Sequence, residues 1–209
     1  MRRFDPAYVE MKATAGSGAI GAALLLHCVH RNARIHPYFT AAMSITNAAV
    51  HEFDISRWLL DQEIARVQVM QSMKSAGAAF LDPMVTILHT AKNQIVDIEV
   101  YLSAQYGYDI RGELVGETGT VSLTPPVNSE MRLAGGQSFG FAGDWRPRFA
   151  AAYRLQLQAW VAAIASGTPV GASAWDGYAA TAVAVAGVNS LETGEAVAVE
   201  LESRPKLYA

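Results

Sequence analysis

The clearest pattern in the chain is Val96-Asp-Ile-Glu-Val-Tyr-Leu-Ser-Ala-Gln-Tyr-Gly-Tyr-Asp-Ile-Arg-Gly-Glu-Leu114, where apolar side chains fall mostly on even-numbered positions and polar ones mostly on odd-numbered positions. A period of two predicts strands with one face on a core and one face in solvent, which is typical of an open antiparallel sheet. A single strand of this length is rare, so we expect a break near Gly107.

Weaker signals on both sides of this stretch complete a mixed pattern of helices and strands. Further strands are predicted at residues 20–31, 64–73, 120–123 and 196–201. Helices are predicted at residues 6–16, around His51 to about residue 60, at 149–165 and from 173 to about 191, and residues 125–144 are expected to form a loop. We therefore predict the α+β class, with an open, mainly antiparallel β-sheet and helices packed on one face, as a single domain over residues 1–209.

Composition limits the partners and the compartment. Apolar residues make up 51% of the chain and charged residues 17%, as in a globular domain with a large core. The net charge of −3 gives no basic surface for nucleic acid or an anionic membrane. The longest apolar run, residues 22–26, is too short to cross a bilayer. The single Cys28 suits a reducing compartment, so we expect a cytoplasmic protein that binds neither nucleic acid nor a membrane.

The segment Gly16-Ser-Gly-Ala-Ile-Gly21 matches the letters of the dinucleotide-binding fingerprint. That fingerprint works only between a strand and the N-terminus of a helix, where backbone N–H groups and the helix dipole meet the pyrophosphate. Here a helix is predicted before the glycines and a strand after them. We therefore interpret the segment as a helix end followed by a turn.

His51 stands in the middle of a short amphipathic helix, with Asn47 one turn before it. On a helix these side chains share a face with Asp54 or Trp58, because residues four and seven apart point the same way. A histidine of this kind is either a hydrogen-bonded core residue or part of a site. Asn47 is equally open to two interpretations, since asparagine is among the best residues for capping a helix N-terminus.

Several segments, taken in order, resemble the C-terminal half of bacterial inositol 2-dehydrogenases, which belong to the Gfo/Idh/MocA oxidoreductases. The resemblance covers essentially the whole chain, and the combination is specific although no single motif is. It implies the same fold as the alternation pattern, and a half-molecule that binds a polyol and forms a dimer or tetramer through its sheet. The segments are Met1-Arg-Arg-Phe-Asp-Pro6, Gly18-Ala-Ile-Gly21, His30-Arg-Asn32, Val50-His-Glu-Phe-Asp-Ile-Ser-Arg-Trp-Leu-Leu60, Tyr106-Gly-Tyr-Asp-Ile-Arg111, Glu113-Leu-Val-Gly-Glu-Thr-Gly119, Tyr153, Leu157-Gln-Ala-Trp160 and Ser173-Ala-Trp-Asp-Gly-Tyr178.

The resemblance implies that His51 is the catalytic base. The family pattern has an aspartate four residues earlier, where this chain has Asn47. Asparagine keeps the shape of that side chain but lacks the charge that would orient the imidazole and stabilise the imidazolium. We predict His51 and Asn47 as catalytic-site residues. The predicted polyol-binding residues are His30, Asn32, Tyr106, Tyr108 and Arg3, although ordinary strand-end polarity, core packing and solvation explain such residues equally well.

The resemblance does not extend to the N-terminal Rossmann half of the family or its Lys-Pro motif. Oxidation of a polyol needs a hydride acceptor, and no side chain is one. We therefore expect no cofactor in this chain, with NAD bound only if a Rossmann domain is supplied, and no metal.

Three function classes follow. The first is the polyol-binding and oligomerisation half of an inositol dehydrogenase. The second is a stand-alone non-redox enzyme, an isomerase, lyase or cyclase, that reuses the pocket with His51 as acid or base. The third is a non-catalytic ligand-binding or dimerisation protein.

Overall fold

Strands of one mixed sheet form the centre of the protein. The computed structural model describes residues 1–124 and 129–208. Along the sheet the strands follow the order β6-β5-β1-β4-β3-β2-β9. The strands are β1 (Ala23–Arg31), β2 (Ile64–Gln71), β3 (Met84–Thr90), β4 (Ile95–Tyr101), β5 (Asp109–Gly116), β6 (Thr120–Ser122) and β9 (Val197–Ala198), and a separate hairpin is formed by β7 (Met131–Leu133) and β8 (Gly136–Ser138).

The helices are α1 (Pro6–Ser17), α2 (Ala41–Met43), α3 (Val50–Leu60), α4 (Trp145–Ser166) and α5 (Ala174–Thr193). A π-helical segment, Ser44–Ala49, joins α2 to α3. The side chains of Tyr8, Phe53 and Val183 bring α1, α3 and α5 into the main core. The sheet is antiparallel throughout except between β1 and β4. The predicted class, an α+β fold with a mainly antiparallel sheet, is confirmed.

The alternating stretch divides into two strands as predicted, but the two do not pair with each other. β4 and β5 lie on opposite sides of β1, parallel and antiparallel to it respectively. The connection between them crosses the end of β1 and contains Gly107 at a φ of 150°. A Cβ atom there would lie 2.4 Å from the Cβ atom of Phe141, so this position requires glycine.

The core lies on the face of the sheet that carries the even-numbered side chains of the central strands. Leu26, Cys28, Val96, Ile98 and Leu114 are almost fully buried there. Odd-numbered positions on the same strands are partly or fully exposed, except for the buried Asp109 at the start of β5. The even-numbered positions that the sequence pattern identifies as apolar are therefore the buried positions of these strands.

Helix ends differ slightly from the predictions. α1 continues through Gly16 and ends at Ser17, because Gly18 supplies the left-handed C-cap at a φ of 76°. The glycine segment nevertheless follows a helix and precedes a strand, as expected. The capping box of Ser173 and Asp176 is present at the start of α5.

Three regions depart further from the predictions. β3 had no predicted element. In the predicted loop, residues 125–128 lie outside the described residues, and the remainder contains the β7–β8 hairpin. α4 begins before the predicted position, at Trp145, because the Asp144 side chain caps its N-terminus by accepting a hydrogen bond from the N–H of Arg146.

Most of α4 stands outside the core. Phe149 and Ala152 are its buried residues, whereas Leu157, Trp160 and Ile164 are each more than half exposed. Within residues 1–124 and 129–208, none of the helices combines the length and the hydropathy needed to span a bilayer.

Candidate functional site

The helix that carries His51 is longer than predicted and irregular. α2, the π-helical segment and α3 run without interruption from Ala41 to Leu60, and Asn47 lies inside the π-helical part. The N-cap interpretation of Asn47 is therefore wrong, because the helix begins about two turns before it. Its side chain is exposed and accepts a hydrogen bond from Thr46 Oγ1 at 3.3 Å. π-helical turns occur frequently at functional sites.

Three of the predicted site residues, His51, His30 and Tyr108, are linked by ring contacts. The ring of His51 lies nearly parallel to the ring of His30, with 6.4 Å between centroids and 21° between planes. The edge of Tyr108 meets His30 at a centroid distance of 5.9 Å. His30 and Tyr108 are buried, whereas His51 is exposed. The core-histidine interpretation of His51 is therefore wrong, and we call this arrangement the His51 recess.

Beneath the His51 recess lies a buried cluster of Arg2, Glu52 and His30, which we call the inner cluster. The three residues are 3%, 1% and 3% exposed. Arg2 forms an ion pair with Glu52, and its Nη2 atom lies 3.3 Å from His30 Nδ1. The two carboxylate oxygens of Glu52 lie 3.2 and 3.1 Å from the same Nδ1 atom. The guanidinium also lies over the ring of Phe149, at 5.6 Å.

Burial and charge act against each other in this cluster. Burial alone would raise the pKa of Glu52, but the charge of Arg2 and the contact with His30 outweigh it and lower the pKa to about 2. Burial also raises the pKa of Tyr108 to about 12. Glu52 is thus ionised and Tyr108 neutral at physiological pH.

His51 itself is held in the neutral form. Desolvation by the surrounding protein lowers its pKa, and the positive charge of Arg2 lowers it further, to about 4, although Glu52 acts in the opposite direction. A neutral imidazole that reaches solvent can accept a proton from a hydroxyl group.

The other predicted site residues have different surroundings. The backbone of Asn32 is bonded to Tyr101 and Ala104, and its buried Oδ1 atom has no partner among the described residues. The Tyr106 hydroxyl donates to Asp109 at 2.6 Å and accepts from Arg31 at 3.1 Å.

Arg3 belongs to a second set of charges on the other side of α3. Its guanidinium pairs with Asp54 at 2.5 Å and with Asp176 at 3.0 Å. Arg57 pairs with Asp176 at 3.2 Å and with Glu63 at 2.6 Å. We call these five residues the outer network. Arg3 is thus engaged by carboxylates, and it is the neighbouring Arg2 that lies beneath the His51 recess.

Arg2 and Glu52 were not predicted as site residues. Each is adjacent in the chain to a predicted one, Arg3 and His51 respectively. The available signal was that Arg2 and Glu52, which have opposite charges, lie in two of the segments that carry the family resemblance.

Comparison with known proteins agrees with this geometry. A family model described as "Oxidoreductase family, C-terminal alpha/beta domain" matches residues 36–200. The chain belongs to this family. It is 55% identical over 210 residues to inositol 2-dehydrogenase 1 of Saccharopolyspora erythraea and 41% identical over 211 residues to inositol 2-dehydrogenase of Pseudomonas fluorescens. Both alignments cover 100% of this chain, but only 62% and 63% of the relatives, so the chain spans less than two thirds of their length.

A solved structure gives the same result for the fold. The myo-inositol dehydrogenase from Lactobacillus casei, in complex with NAD(H) and myo-inositol, superposes with a TM-score of 0.95 at 32% identity. The superposition covers 100% of this chain and 63% of that chain. The chain therefore has the fold of the C-terminal domain of an inositol 2-dehydrogenase-like oxidoreductase.

The glycine segment of this chain does not fit a dinucleotide. The N–H of Gly18 is bonded to the carbonyl of Ala15, and the N–H of Gly21 to the carbonyl of Gly18. These donors close the end of α1, whereas a pyrophosphate needs free N–H groups at the start of a helix.

Proposed function

We propose that this chain, as a single domain, is the polyol-binding part of an inositol 2-dehydrogenase-like oxidoreductase, with its pocket at the His51 recess and no NAD site of its own. The observation that carries the proposal is the position of His51, which is exposed and stacked on His30, a member of the buried charged cluster that also meets the ring of Tyr108. The names of the relatives support a cyclic polyol as the ligand class.

The chemistry open to the recess is proton transfer and hydroxyl binding. The neutral ring of His51 accepts the proton of a ligand hydroxyl, and the hydroxyl of Tyr108 and the ring of His30 offer further hydrogen bonds. Oxidation of the alcohol also requires a hydride acceptor, which no side chain provides. That part of the reaction belongs to a nucleotide-binding half outside this chain.

The uncovered face of the sheet supports an oligomer as part of the same proposal. Odd-numbered positions there mix apolar and charged side chains, among them Val29, Ile95, Glu99 and Tyr101. A homodimer or homotetramer that joins two such faces would bury the apolar members. A cytoplasmic location also belongs to the proposal, on the strength of the lone, buried Cys28.

One observation favours a second candidate function, a non-redox enzyme that uses His51 as acid or base. Asn47 is uncharged and exposed in the turn before His51. A dehydrogenase base gains from a carboxylate at such a position because the carboxylate stabilises the imidazolium. An isomerase or lyase in which His51 removes a more acidic proton has less need of such a carboxylate.

Calorimetric titration of the chain with myo-inositol tests the proposal. We expect binding by the unaltered chain and a loss of at least about tenfold in affinity in His51→Ala, because the ring supplies a hydrogen bond to the ligand. His89→Ala is the matched control, since His89 lies on β3 at an odd-numbered, partly exposed position. Absence of binding by the unaltered chain would refute the polyol proposal, and tight binding of NAD by this chain would refute its lack of an NAD site.

A further inference from the structure

Glu52 connects the groups beneath His51. Its carboxylate touches both Arg2 and His30, and the side chain is 1% exposed although its neighbour in sequence, His51, faces solvent. Adjacent residues of α3 therefore serve the two sides of the recess. The side chain of His51 faces solvent, and that of Glu52 lies in the protein interior.

The hydrogen-bonding capacities of these groups determine where the proton of His30 lies. An ionised carboxylate only accepts hydrogen bonds, and a guanidinium only donates them. His30 Nδ1 faces two carboxylate oxygens, at 3.2 and 3.1 Å, and one guanidinium nitrogen at 3.3 Å. An unprotonated Nδ1 would direct its lone pair at a buried negative charge. Nδ1 therefore carries the proton and donates it to Glu52, which leaves Nε2 as an acceptor.

We propose that Glu52 is a positioning residue of the pocket, which fixes the ring orientation and the tautomer of His30 so that Nε2 accepts a hydrogen bond from a ligand hydroxyl beside His51. The ligand part of this inference rests on the proposed polyol function, whereas the tautomer part stands on the contacts within the chain. Arg2 contributes by holding the carboxylate in place and neutralising its charge.

The charges around His51 give Glu52 a second effect. Arg2 from the N-terminal segment and His30 from β1 lower the pKa of His51, and Glu52 from α3 raises it. Glu52 is the negative member of this set, and Asn47 supplies no charge. The carboxylate therefore opposes the lowering of the His51 pKa, although the charge of Arg2 outweighs it.

The test is to read the histidine tautomers by long-range proton–nitrogen correlation on chain labelled with ¹⁵N-histidine at neutral pH. We expect His30 to carry its proton on Nδ1. In Glu52→Gln, Arg2 occupies the single carbonyl oxygen and the NH2 group faces Nδ1, so the proton should move to Nε2. Glu99→Gln is the matched control, because Glu99 accepts from Arg31 on the other face of the sheet. An Nε2 proton in the unaltered chain, or an unchanged tautomer in Glu52→Gln, would overturn the proposal.

If Glu52→Gln does not fold, a second variant tests the same inference. The double variant Arg2→Met with Glu52→Met removes both buried charges together, which buried ion pairs often tolerate. We expect His30 to lose its fixed tautomer in that protein, and a retained Nδ1 proton would contradict the inference.

Inositol titration separates the two proposals. We expect Glu52→Gln to bind myo-inositol about tenfold more weakly than the unaltered chain. If its tautomer changes while the affinity stays the same, Glu52 has no role in the pocket. If the unaltered chain shows the Nδ1 proton but binds no inositol, the polyol function fails while the positioning of His30 stands.

Discussion

The inner cluster and the outer network begin at neighbouring residues and have opposite surroundings. Arg2 points beneath the His51 recess and pairs with the fully buried Glu52, whereas Arg3 points to the other side of α3 and pairs with the partly exposed Asp54 and Asp176. In the inner cluster, loss of one partner leaves a charge without water or a counter-ion. In the outer network the carboxylates of Asp54, Asp176 and Glu63 are partly exposed, so solvent replaces more of a lost interaction. The single arginine–carboxylate pair of the inner cluster therefore carries more energy than any one pair of the outer network.

The largest effect should come from the inner cluster. Glu52→Ala leaves the charge of Arg2 buried and unpaired, so we expect the free energy of unfolding to fall by about 3–5 kcal/mol. Urea denaturation followed by circular dichroism measures this change. A loss below about 1 kcal/mol would show that the buried pair behaves like a surface pair.

An intermediate effect is expected where the outer network meets the start of α5. Asp176→Ala removes the acidic half of the capping box and the contacts with Arg3 and Arg57. We expect a loss of about 1–2 kcal/mol, most of it from the cap. Glu192→Ala, at an exposed position of the same helix, controls for helix propensity and should change stability by less than about 0.5 kcal/mol. If the loss in Asp176→Ala matched that in Glu52→Ala, the contrast between the two sides would fail.

The smallest effect concerns pH and His51. Because the pKa of His51 is lowered to about 4 in the folded chain, from 6.5, the unfolded chain binds more protons between these values. Stability should therefore fall as the pH falls from 6.5 towards 4, and Glu52 adds a further loss between its ordinary value of 4.5 and about 2. His51→Gln should flatten the upper part of this profile, as measured by urea midpoints between pH 7 and 4. An unchanged slope there would exclude His51 as its source.

Sequence pattern predicted the sheet well because side-chain parity on a half-buried strand is a local property. β3 was missed because Thr86 and Thr90 are buried on it, so its polarity does not alternate as its burial does. The start of the α2–α3 helix was misjudged because a π-helical segment depends on hydrogen bonds that no residue pattern specifies.

The candidate site was predicted in part. His30, His51 and Tyr108 were predicted as a group from the resemblance, and their rings are in contact in the structure. The sequence prediction named Arg3 and not Arg2. The short 3₁₀ turn, Arg2–Phe4, and the space beneath His30 determine which of the two adjacent arginines is buried, and neither is visible in the sequence. Burial of a charged pair is a property of the assembled fold and leaves no local trace in composition.

The two ends of the sheet have a consequence for how such chains associate. β6 has three residues and β9 has two, so each edge offers few free backbone N–H and C=O groups. On the β9 side, the hydroxyl of Ser190 accepts a hydrogen bond from the N–H of Val69 at 2.9 Å, which satisfies a donor beyond the end of the ladder. A foreign strand therefore finds little to pair with at either edge. Recruitment of another chain by strand addition is disfavoured, and growth into fibres along the hydrogen-bonding direction is disfavoured with it.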